Sequence, residues 1–371
     1  MKYYVIAGEA SGDLHASNLV KAIKKLDTSA EFRCWGGDLL KAEGATLVKH
    51  YRDLAFMGFA EVIMNLRTIL RNIDLCKKDI LEYKPDALIL VDYPGFNLRI
   101  AEFAKEKGFR IFYYISPQVW AWKQSRVHKI KRVVDHMLVI LPFEKEFYQR
   151  FDHNVDFVGH PLLDAIAGRE AVNEMKFRGE YGLSDKPIIA LLPGSRKQEI
   201  AVKLPVMLSM PVKFPGYQFV IAGAPSLPQE YYDGFISKSD VKIVFGKTYD
   251  LLSVSHAALV TSGTATLETA LFNVPEVVCY KGSAVSYLIA KQLVKVKYIS
   301  LVNLIMDREV VKELIQKDLN EKNLEDELKR ILSGPVRERI LSDYAELRNK
   351  LGGSGASAKA AALIMNYLGK K

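Results

Sequence analysis

The chain has 371 residues, of which 49% are hydrophobic, and its formal net charge is +9. This length and apolar content predict two domains with packed cores and exclude a largely disordered chain. The positive charge favours an anionic partner, which could be nucleic acid, an acidic membrane surface or a phosphorylated substrate.

The cysteine and hydropathy patterns narrow the expected compartment. Cys34, Cys76 and Cys279 are odd in number and lack the spacing of metal ligands, which predicts a reducing compartment without a disulfide framework. The first residues enter a strand directly, so we expect no signal peptide. No uncharged apolar stretch approaches the roughly 20 residues that span a bilayer. We therefore expect a protein of a reducing compartment that is soluble or peripheral to a membrane.

The chain opens with a predicted strand, loop and helix. Lys2–Ala7 is a buried-strand pattern, the loop Gly8–Asp13 follows, and Leu14–Leu26 has helical periodicity. The polar loop residues considered as ligands are Glu9, Ser11, Gly12 and Asp13. Such loops lie at the edge of a parallel sheet where ligands bind, although turn geometry alone could explain the glycines. The G-x-G-x-x-G pattern is missing, so no nicotinamide cofactor is expected.

Ile63–Leu81 is predicted to form an amphipathic helix with basic character. Apolar residues recur there at helical spacing, and Arg67, Arg71 and Lys78 lie among them. Such a helix can lie on an anionic membrane surface. It could equally pack its apolar face on the protein core.

Pro85–Val91 is the clearest buried strand, and Asp92 follows it directly. A carboxylate at the end of a parallel strand faces the edge where α/β enzymes bind substrates. Asp92 is therefore the candidate general base. The alternative is an aspartate that caps the next helix.

An aromatic loop follows the predicted strand Arg110–Ile115. It carries Gln118, Trp120 and Trp122. These side chains could form a wall for a sugar or an acyl chain, or they could pack in the core. Basic residues at 126–132 make nucleic acid conceivable, but no nucleic-acid-binding motif accompanies them.

A second strand–loop–helix unit begins with the predicted strand Pro187–Leu192 and continues through a Gly-Ser loop to Arg196. Guanidinium binds phosphate oxygens bidentately, and a cation at a helix start is otherwise unfavourable. Arg196 is therefore a candidate phosphate ligand, or else a surface arginine.

A hydroxyl-rich loop follows the apolar run at 257–260. It contains Ser262, Gly263 and Thr264, and helix-forming residues begin at Ala265. The first N–H groups of a helix can bind an anion, so the loop could hold a diphosphate, or it could be an ordinary capped turn. Glu268 could accept a hydrogen bond from a ribose hydroxyl, or it could be a solvated acid.

The segment around residues 303–316 has a mostly apolar pattern that predicts a helix and a turn, and three polar residues lie within it. They are Asn303, Glu313 and Gln316. Glu313 and Gln316 are three residues apart and could share a helix face, although each could equally be a surface residue. After the glycine-rich break at 352–355, a helix of small residues is predicted to pack on another domain or subunit.

Nine short motifs occur in order along nearly the whole chain: GEASGD (8–13), MGFAEV (57–62), VDYPGFN (91–97), YYISPQVWAWK (113–123), ILPFE (140–144), FVGHPLLD (157–164), LLPGSR (191–196), SGTATLETAL (262–271), and NLI (303–305) with ELIQ (313–316). Together they resemble the lipid-A-disaccharide synthase family, which are bacterial glycosyltransferases of the GT-B type. The resemblance implies an α/β fold with two Rossmann-like parallel-sheet domains facing a central cleft. An acceptor domain would cover residues 1–165, with the helix at 354–371 packed on it or on a partner subunit. A UDP-sugar domain would cover residues 166–353.

The resemblance also implies an activity. The enzyme would join UDP-2,3-diacylglucosamine and 2,3-diacylglucosamine 1-phosphate into a β-1,6-linked disaccharide 1-phosphate, releasing UDP with inversion at the anomeric carbon. By the family pattern it would act in the cytoplasm, at the inner face of the cytoplasmic membrane, which we expect it to contact through Ile63–Leu81, and some family members form dimers. The chain has no D-x-D metal motif and no nucleic-acid-binding motif, so we expect no metal, no cofactor and no nucleic-acid partner.

The family pattern assigns roles to the candidate residues. Asp92 and Glu9 would be catalytic, and either could be the base. The donor would contact Arg196, Ser262, Gly263, Thr264, Glu268, Asn303, Glu313 and Gln316. The acceptor would contact Ser11, Gly12, Asp13, Gln118, Trp120 and Trp122. Two alternatives remain open: a UDP-sugar 2-epimerase of GT-B fold, and a non-catalytic basic module that binds nucleic acid or membrane.

Overall fold

The computed structural model describes residues 1–53, 66–121, 124–236, 240–282 and 297–369. The chain divides into two compact units. Unit 1 contains Met1–Arg169 and Leu351–Lys371, and unit 2 contains Glu170–Lys350. The sequence prediction places these boundaries slightly differently, at residues 165 and 353.

Unit 1 alternates strands and helices. Its strands are β1 (Lys2–Ala7), β2 (Glu31–Gly36), β3 (Thr46–His50), β4 (Ala87–Val91), β5 (Ile111–Tyr114), β6 (His136–Val139) and β7 (Asp156–Phe157). Its helices before unit 2 are α1 (Ala10–Leu26), α2 (Asp38–Ala42), α3 (Leu66–Tyr83), α4 (Pro94–Glu106), α5 (Arg126–Val133), α6 (Glu144–Gln149) and α7 (Pro161–Ala167). A short 3₁₀ turn covers Tyr51–Asp53.

The strands of unit 1 form a seven-stranded parallel sheet in the order β3-β2-β1-β4-β5-β6-β7. All five residues of β4, Ala-Leu-Ile-Leu-Val, are buried, as expected for a strand covered by helices on both faces. The chain builds outward in one direction from β1 and in the other from β4. Their carboxyl ends therefore form the topological switch point, where open α/β sheets bind ligands.

Unit 2 repeats this architecture. Its strands are β8 (Ile188–Leu192), β9 (Gln218–Gly223), β10 (Lys242–Phe245), β11 (Ser255–Thr261), β12 (Glu276–Tyr280) and β13 (Lys312–Ile315). Its helices are α8 (Glu174–Tyr181), α9 (Lys197–Met207), α10 (Gln229–Ile236), α11 (Thr248–Ser253), α12 (Thr264–Leu271), α13 (Leu301–Met306), α14 (Glu321–Leu332) and α15 (Pro335–Lys350), with a 3₁₀ turn at Gln316–Asp318.

The six-stranded sheet of unit 2 has the order β10-β9-β8-β11-β12-β13, and its paired strands are parallel. Its switch point lies between β8 and β11. The two parallel sheets confirm the predicted α/β class with two Rossmann-like domains. No helix in the described part of the chain is long and apolar enough to cross a membrane.

The last helix, α16 (Ala356–Tyr367), returns to unit 1 and packs against α1. Asp164 on α7 accepts hydrogen bonds from the N–H groups of Gly355 and Ser357, at 2.5 and 2.8 Å. The ring of Tyr367 stacks on His136, with 3.6 Å between the ring centroids. These contacts attach α16 to unit 1 of the same chain.

Two local predictions are wrong. The segment Ser11–Asp13 is not a loop, because Glu9 caps the helix in an extended conformation and α1 begins at Ala10. Glu313 does not lie on a helix: it belongs to β13, whose pairing with β12 overrides the helical spacing of a short apolar run.

Candidate functional site

The loops after β1 and β4 meet at the switch point of unit 1. Ala7 and Val91 are partners in the parallel register, so Gly8 and Asp92 follow side by side. The ring of Tyr93 covers Gly8, where an added Cβ would lie 2.3 Å from a ring carbon. A side chain at residue 8 would therefore displace Tyr93 and the turn that carries Asp92.

The turn after β4 has an unusual backbone conformation. Asp92 and Tyr93 both have positive φ angles, of 45° and 48°. Left-handed backbone in such residues costs about 1–3 kcal/mol each and persists only where surrounding structure enforces it. Enforced strain of this kind is often found where a side chain must be aimed at a ligand.

Hydrogen bonds hold the backbone of Asp92 in this conformation. Its N–H donates to the carbonyl oxygen of Tyr114 at 3.2 Å. Its carbonyl oxygen accepts from Asn97 Nδ2 at 2.7 Å and from Tyr113 Oη at 2.6 Å. Asn97 also donates to the carbonyl oxygen of Val91, at 3.3 Å. These hydrogen bonds therefore fix the backbone that carries the Asp92 carboxylate.

The surroundings of Asp92 raise its pKa to about 6. Burial contributes most, the negative charge of Glu9 adds to it, and the backbone N–H of Tyr93 opposes it. At neutral pH the group is mainly a carboxylate and can still accept a proton. Glu9 is exposed at the start of α1, near enough to influence Asp92 electrostatically.

The acceptor residues predicted on α1 differ in their surroundings. Ser11 is exposed and Gly12 is buried. The buried carboxylate of Asp13 accepts hydrogen bonds from the backbone N–H groups of Gly37, Leu39 and Leu40, at 2.7, 3.1 and 3.3 Å. Asp13 thus caps α2, and this contact gives it a structural task.

The aromatic loop after β5 is partly core. Gln118 is exposed, whereas Trp120 is buried and meets the ring of Phe143 edge-on, with 5.0 Å between centroids. Trp122 lies outside the described residues, as do residues 63–65 of the predicted basic helix. The structure therefore places Trp120 in the packed interior and leaves Gln118 available to a ligand.

Two loops also meet at the switch point of unit 2. Leu192 and Val260 are register partners, so the loops that follow β8 and β11 run next to each other. Gly194 and Gly263 have φ angles of 122° and 130°, in the region that favours glycine. Gly263 also caps α12, whose first N–H groups can bind an anion.

Arg196 caps the other helix at this edge, α9, and its side chain is 66% exposed. Its Nη1 lies 3.5 Å from Glu199 Oε1, one helical turn away. An exposed ion pair of this kind contributes little. The guanidinium could therefore exchange this contact for a phosphate at little cost.

Glu268 lies one turn into α12, and its Oε1 accepts a hydrogen bond from Tyr249 Oη at 2.9 Å. Burial raises the pKa of Glu268, and the hydrogen bond from Tyr249 opposes that shift. The alternative of a fully solvated acid does not fit these contacts.

Asn303 is buried, and both ends of its amide are paired. Its Oδ1 accepts from the N–H groups of Val310 and Val311, at 2.8 and 3.0 Å. Its Nδ2 donates to the carbonyl oxygen of Val311 and to Glu313 Oε1, both at 2.9 Å. These contacts give the Asn303 side chain a structural task.

Glu313 organises the turn before α13. Its carboxylate accepts from the N–H groups of Ile299 and Ser300 and from Ser300 Oγ, at 2.7–3.2 Å. The carbonyl oxygen of Ile299 in turn accepts from Ser262 Oγ at 2.8 Å. Asn303 and Glu313 are thus connected to the loop after β11 through this turn.

Gln316 follows β13 in the left-handed conformation, with φ of 56°. Its Oε1 accepts from the N–H of Gly282 at 3.3 Å. Gln316 therefore connects the ends of β12 and β13, at the same edge of the sheet as the other candidate donor residues.

Asn97 and Tyr113 have no predicted role from sequence, although both donate hydrogen bonds to the carbonyl oxygen of Asp92. Asn97 stands in the VDYPGFN motif, which was the available signal. Tyr113 is on a different strand, and only the pairing of β4 with β5 brings it to Asp92.

Comparisons with a family model and with curated relatives point to the same family. A family model described as lipid-A-disaccharide synthetase matches residues 3–366. The lipid-A-disaccharide synthase of Syntrophus aciditrophicus is 42% identical over 99% of this chain and 97% of its own length. The enzyme of that name from Geobacter metallireducens is 39% identical over the same shares.

Solved structures share the fold at low sequence identity. The UDP-GlcNAc 2-epimerase of Neisseria meningitidis, solved with UDP-GlcNAc bound, matches with a TM-score of 0.69 and 14% identity. The match covers 99% of this chain and all of that chain. At this identity the likeness concerns the fold alone.

Proposed function

Because the chain belongs to the lipid-A-disaccharide synthase family, and is thus a GT-B glycosyltransferase of lipid A biosynthesis, we propose its substrates and mechanism. The donor is UDP-2,3-diacylglucosamine and the acceptor is 2,3-diacylglucosamine 1-phosphate. The acceptor's 6-hydroxyl attacks the anomeric carbon of the donor, whose bond to the UDP oxygen breaks. The product is the β-1,6-linked disaccharide 1-phosphate, with inverted configuration.

One observation carries this proposal: the carboxylate of Asp92 at the switch point of unit 1. A single displacement requires a base that removes the proton of the attacking hydroxyl. Asp92 combines a fixed backbone with a pKa of about 6. Glu9 is more exposed and supports Asp92 through its charge, so we assign the role of base to Asp92.

The loops of unit 2 would hold the donor. The leaving UDP develops negative charge, which positioned cations and helix N-termini stabilise. Arg196 at the start of α9 and the segment Ser262–Thr264 at the start of α12 provide such groups. Glu268, paired with Tyr249, has an acceptor suited to a ribose hydroxyl.

We also propose that α3 binds the membrane from which the acylated substrates come. Leu70 and Leu75 on its outer face are 47% and 44% exposed. They lie in a shallow groove lined by Arg67, Leu70, Arg71, Asp74, Leu75 and Lys78. Exposed leucines between basic residues suit an anionic lipid surface, and the expected location is the cytoplasmic face of the inner membrane.

A product assay tests the proposed reaction. The protein is incubated in detergent micelles with UDP-2,3-diacylglucosamine and 2,3-diacylglucosamine 1-phosphate, and lipids and nucleotides are analysed by mass spectrometry. We expect disaccharide 1-phosphate and UDP in equal amounts, and neither when the acceptor is omitted. Folded protein that yields no disaccharide would contradict the proposal.

The same assay separates the alternative reactions. A UDP-sugar 2-epimerase would convert UDP-acetylglucosamine to its 2-epimer without any acceptor. A non-catalytic module would release no UDP under any condition. Parallel incubation with UDP-acetylglucosamine alone therefore serves as the control.

A further inference from the structure

Lys203 on α9 is a buried cation in unit 2. Its side chain is 3% exposed, and in the part of the chain that the structure describes it is the only buried lysine or arginine. Moving an ammonium group out of water is unfavourable unless opposite charge or hydrogen bonds compensate for it. An apolar side chain would be less costly to bury at this position, so packing alone does not explain the charge.

The ammonium group lies where the two loops of the unit 2 switch point meet. Lys203 Nζ donates a hydrogen bond to Oγ1 of Thr261, the last residue of β11. It lies 3.9 Å from Glu199 Oε2. The same Glu199 oxygen covers the loop after β8, since a Cβ added at Gly194 would lie 2.5 Å from it. Lys203 is thus held beneath both loops.

Neither neighbour neutralises Lys203 completely. The hydroxyl of Thr261 is uncharged, and 3.9 Å is too long for a hydrogen bond to Glu199. Glu199 is also 3.5 Å from the guanidinium of Arg196. The Glu199 carboxylate is therefore shared between Lys203 and Arg196.

We propose that Lys203 is a specificity-determining residue of the nucleotide site, whose buried charge selects a nucleoside diphosphate over the uncharged nucleoside. This inference rests on the proposed function, in which UDP occupies unit 2. The loop Ser262–Thr264 begins directly after Thr261, so the charge lies next to the expected diphosphate. A charge in the interior is screened less than one at the surface, so it acts over this short distance.

The neighbours of Lys203 make the selection depend on pH. Burial lowers the pKa of Lys203, Glu199 on α9 opposes this shift, and Arg196 on the same helix adds to it. On β12, burial raises the pKa of Cys279 to about 12, so its thiol is uncharged at neutral pH. Thr261 on β11 carries no charge. A bound diphosphate stabilises the ammonium form of Lys203. The preference for UDP over uridine should therefore decline as pH rises through the pKa that Lys203 has in the ligand-free protein.

The test compares UDP and uridine binding to the full-length protein and to Lys203→Met, which removes the charge and keeps a similar length. Calorimetry measures UDP, and ligand-observed NMR titration measures uridine. We expect UDP affinity to fall at least about tenfold, the range of a charged contact, and uridine affinity to change little. Lys203→Arg should retain most of the UDP affinity. Lys176→Met, which changes an exposed lysine on α8, should leave both affinities unchanged.

A second measurement uses the unaltered protein, so it holds even where Lys203→Met fails to fold. The ratio of the Kd for uridine to the Kd for UDP is followed from about pH 7.5 to about pH 10, where lysine titrates. Both ligands share the uracil ring, so its ionisation cancels in the ratio. The ratio should fall with rising pH, and a constant ratio would overturn the role of Lys203.

The outcomes separate two failures. If the unaltered protein binds no UDP, both the proposed function and this inference are wrong. If it binds UDP, and Lys203→Met either binds UDP equally well or loses UDP and uridine affinity in the same proportion, only the inference about Lys203 is wrong.

Discussion

Burial and a neighbouring charge set the chemistry of Asp92. An unperturbed aspartate has a pKa near 3.9, whereas that of Asp92 is raised to about 6. A general base is most effective when its pKa lies near the working pH and it is still largely ionised. Asp92 satisfies both conditions at neutral pH, which is why we distinguish it from Glu9.

The Glu9→Gln variant tests this assignment. Removing a like charge lowers the pKa of the remaining carboxyl group. In the unaltered enzyme we expect kcat/KM to fall on acidification near pH 6. In Glu9→Gln the same fall should therefore occur at a lower pH. The shift should be modest, because burial is the larger cause. The measurement is the pH dependence of kcat/KM.

The control is Glu106→Gln, which removes an exposed carboxylate on α4 and should not shift the profile. Loss of nearly all activity at neutral pH in Glu9→Gln would instead indicate that Glu9 is the base.

A second carboxyl group with a strongly altered environment is Glu276, at the start of β12. It is fully buried, and neither of its carboxyl oxygens has a hydrogen-bond partner among the described residues. Burial, aided by the charge of Glu313, raises its pKa well above the usual value. The folded protein therefore holds a proton here that the unfolded chain releases above about pH 4.3.

This proton makes unfolding depend on pH. Since the folded state binds more protons than the unfolded state, stability declines as pH rises from about 4.3 towards the raised pKa. Glu276→Gln should remove the decline and raise the free energy of unfolding at neutral pH by on the order of 1 kcal/mol. The gain should nearly vanish near pH 4.

Thermal unfolding at the two pH values measures the effect. Glu230→Gln, at an exposed position on α10, is the matched control. A variant that is less stable than the unaltered protein at neutral pH would show that the Glu276 carboxylate is ionised and paired.

Residue identities predicted some site features and not others. Asp92, Arg196 and Gly263 follow strands, so their place at a sheet edge could be read from the sequence. The hydrogen bonds of Asp13 to residues 37–40, and that of Lys203 to Thr261, join distant parts of the chain. No local pattern reports such pairings.

At the scale of elements, the end of β4 and its neighbour β5 act together. Asn97 on α4 and Tyr113 on β5 both donate to the carbonyl oxygen of Asp92. They hold two consecutive residues in a backbone conformation that costs about 1–3 kcal/mol each. The position of the carboxylate thus depends on three elements.

A double-mutant cycle with Asn97→Ala and Tyr113→Phe tests this support. Each change should lower kcat about tenfold or more, because a misplaced catalytic group loses effective concentration. UDP binding, which we assign to unit 2, should remain unchanged. Expressed as activation free energy, the effect of the double variant should be smaller than the sum of the two single effects, since both residues donate to the same carbonyl oxygen. Strictly additive effects would mean that they act separately.

The long buried strands were predictable because continuous apolar runs between turn residues define them. The strand β13 was not, because its four residues Lys-Glu-Leu-Ile lack a strand alternation strong enough to exclude a helix. Its pairing with β12 decides the conformation. Asn303, Glu313 and Gln316 therefore support the ends of strands and a helix rather than line one helix face.

At the scale of the whole molecule, the net charge of +9 is compatible with the proposed binding of anionic lipid and of a nucleotide substrate. The two-domain α/β organisation was predictable from the repeated strand–loop–helix pattern and the nine motifs. The attachment of α16 to unit 1 was only one of two options, because a glycine-rich break does not specify what the next helix packs against.

The membrane proposal can be tested with charge reversal on α3. Arg67→Glu with Arg71→Glu should strongly reduce sedimentation with vesicles rich in anionic lipid, since each basic residue near such a surface contributes about 1 kcal/mol. Lys21→Glu with Lys25→Glu makes the same charge change at exposed positions on α1 and should matter less. If the unaltered protein and both charge-reversal variants sediment equally with the vesicles, the result would count against α3 as the membrane surface.

The most direct test of the central claim is the turnover of Asp92→Asn with both acylated substrates, measured beside its UDP affinity. Loss of the base should reduce disaccharide formation about 10²–10⁴-fold, while the Kd for UDP stays close to that of the unaltered protein. Turnover at the unaltered rate would contradict the assignment of Asp92 as the base that activates the acceptor.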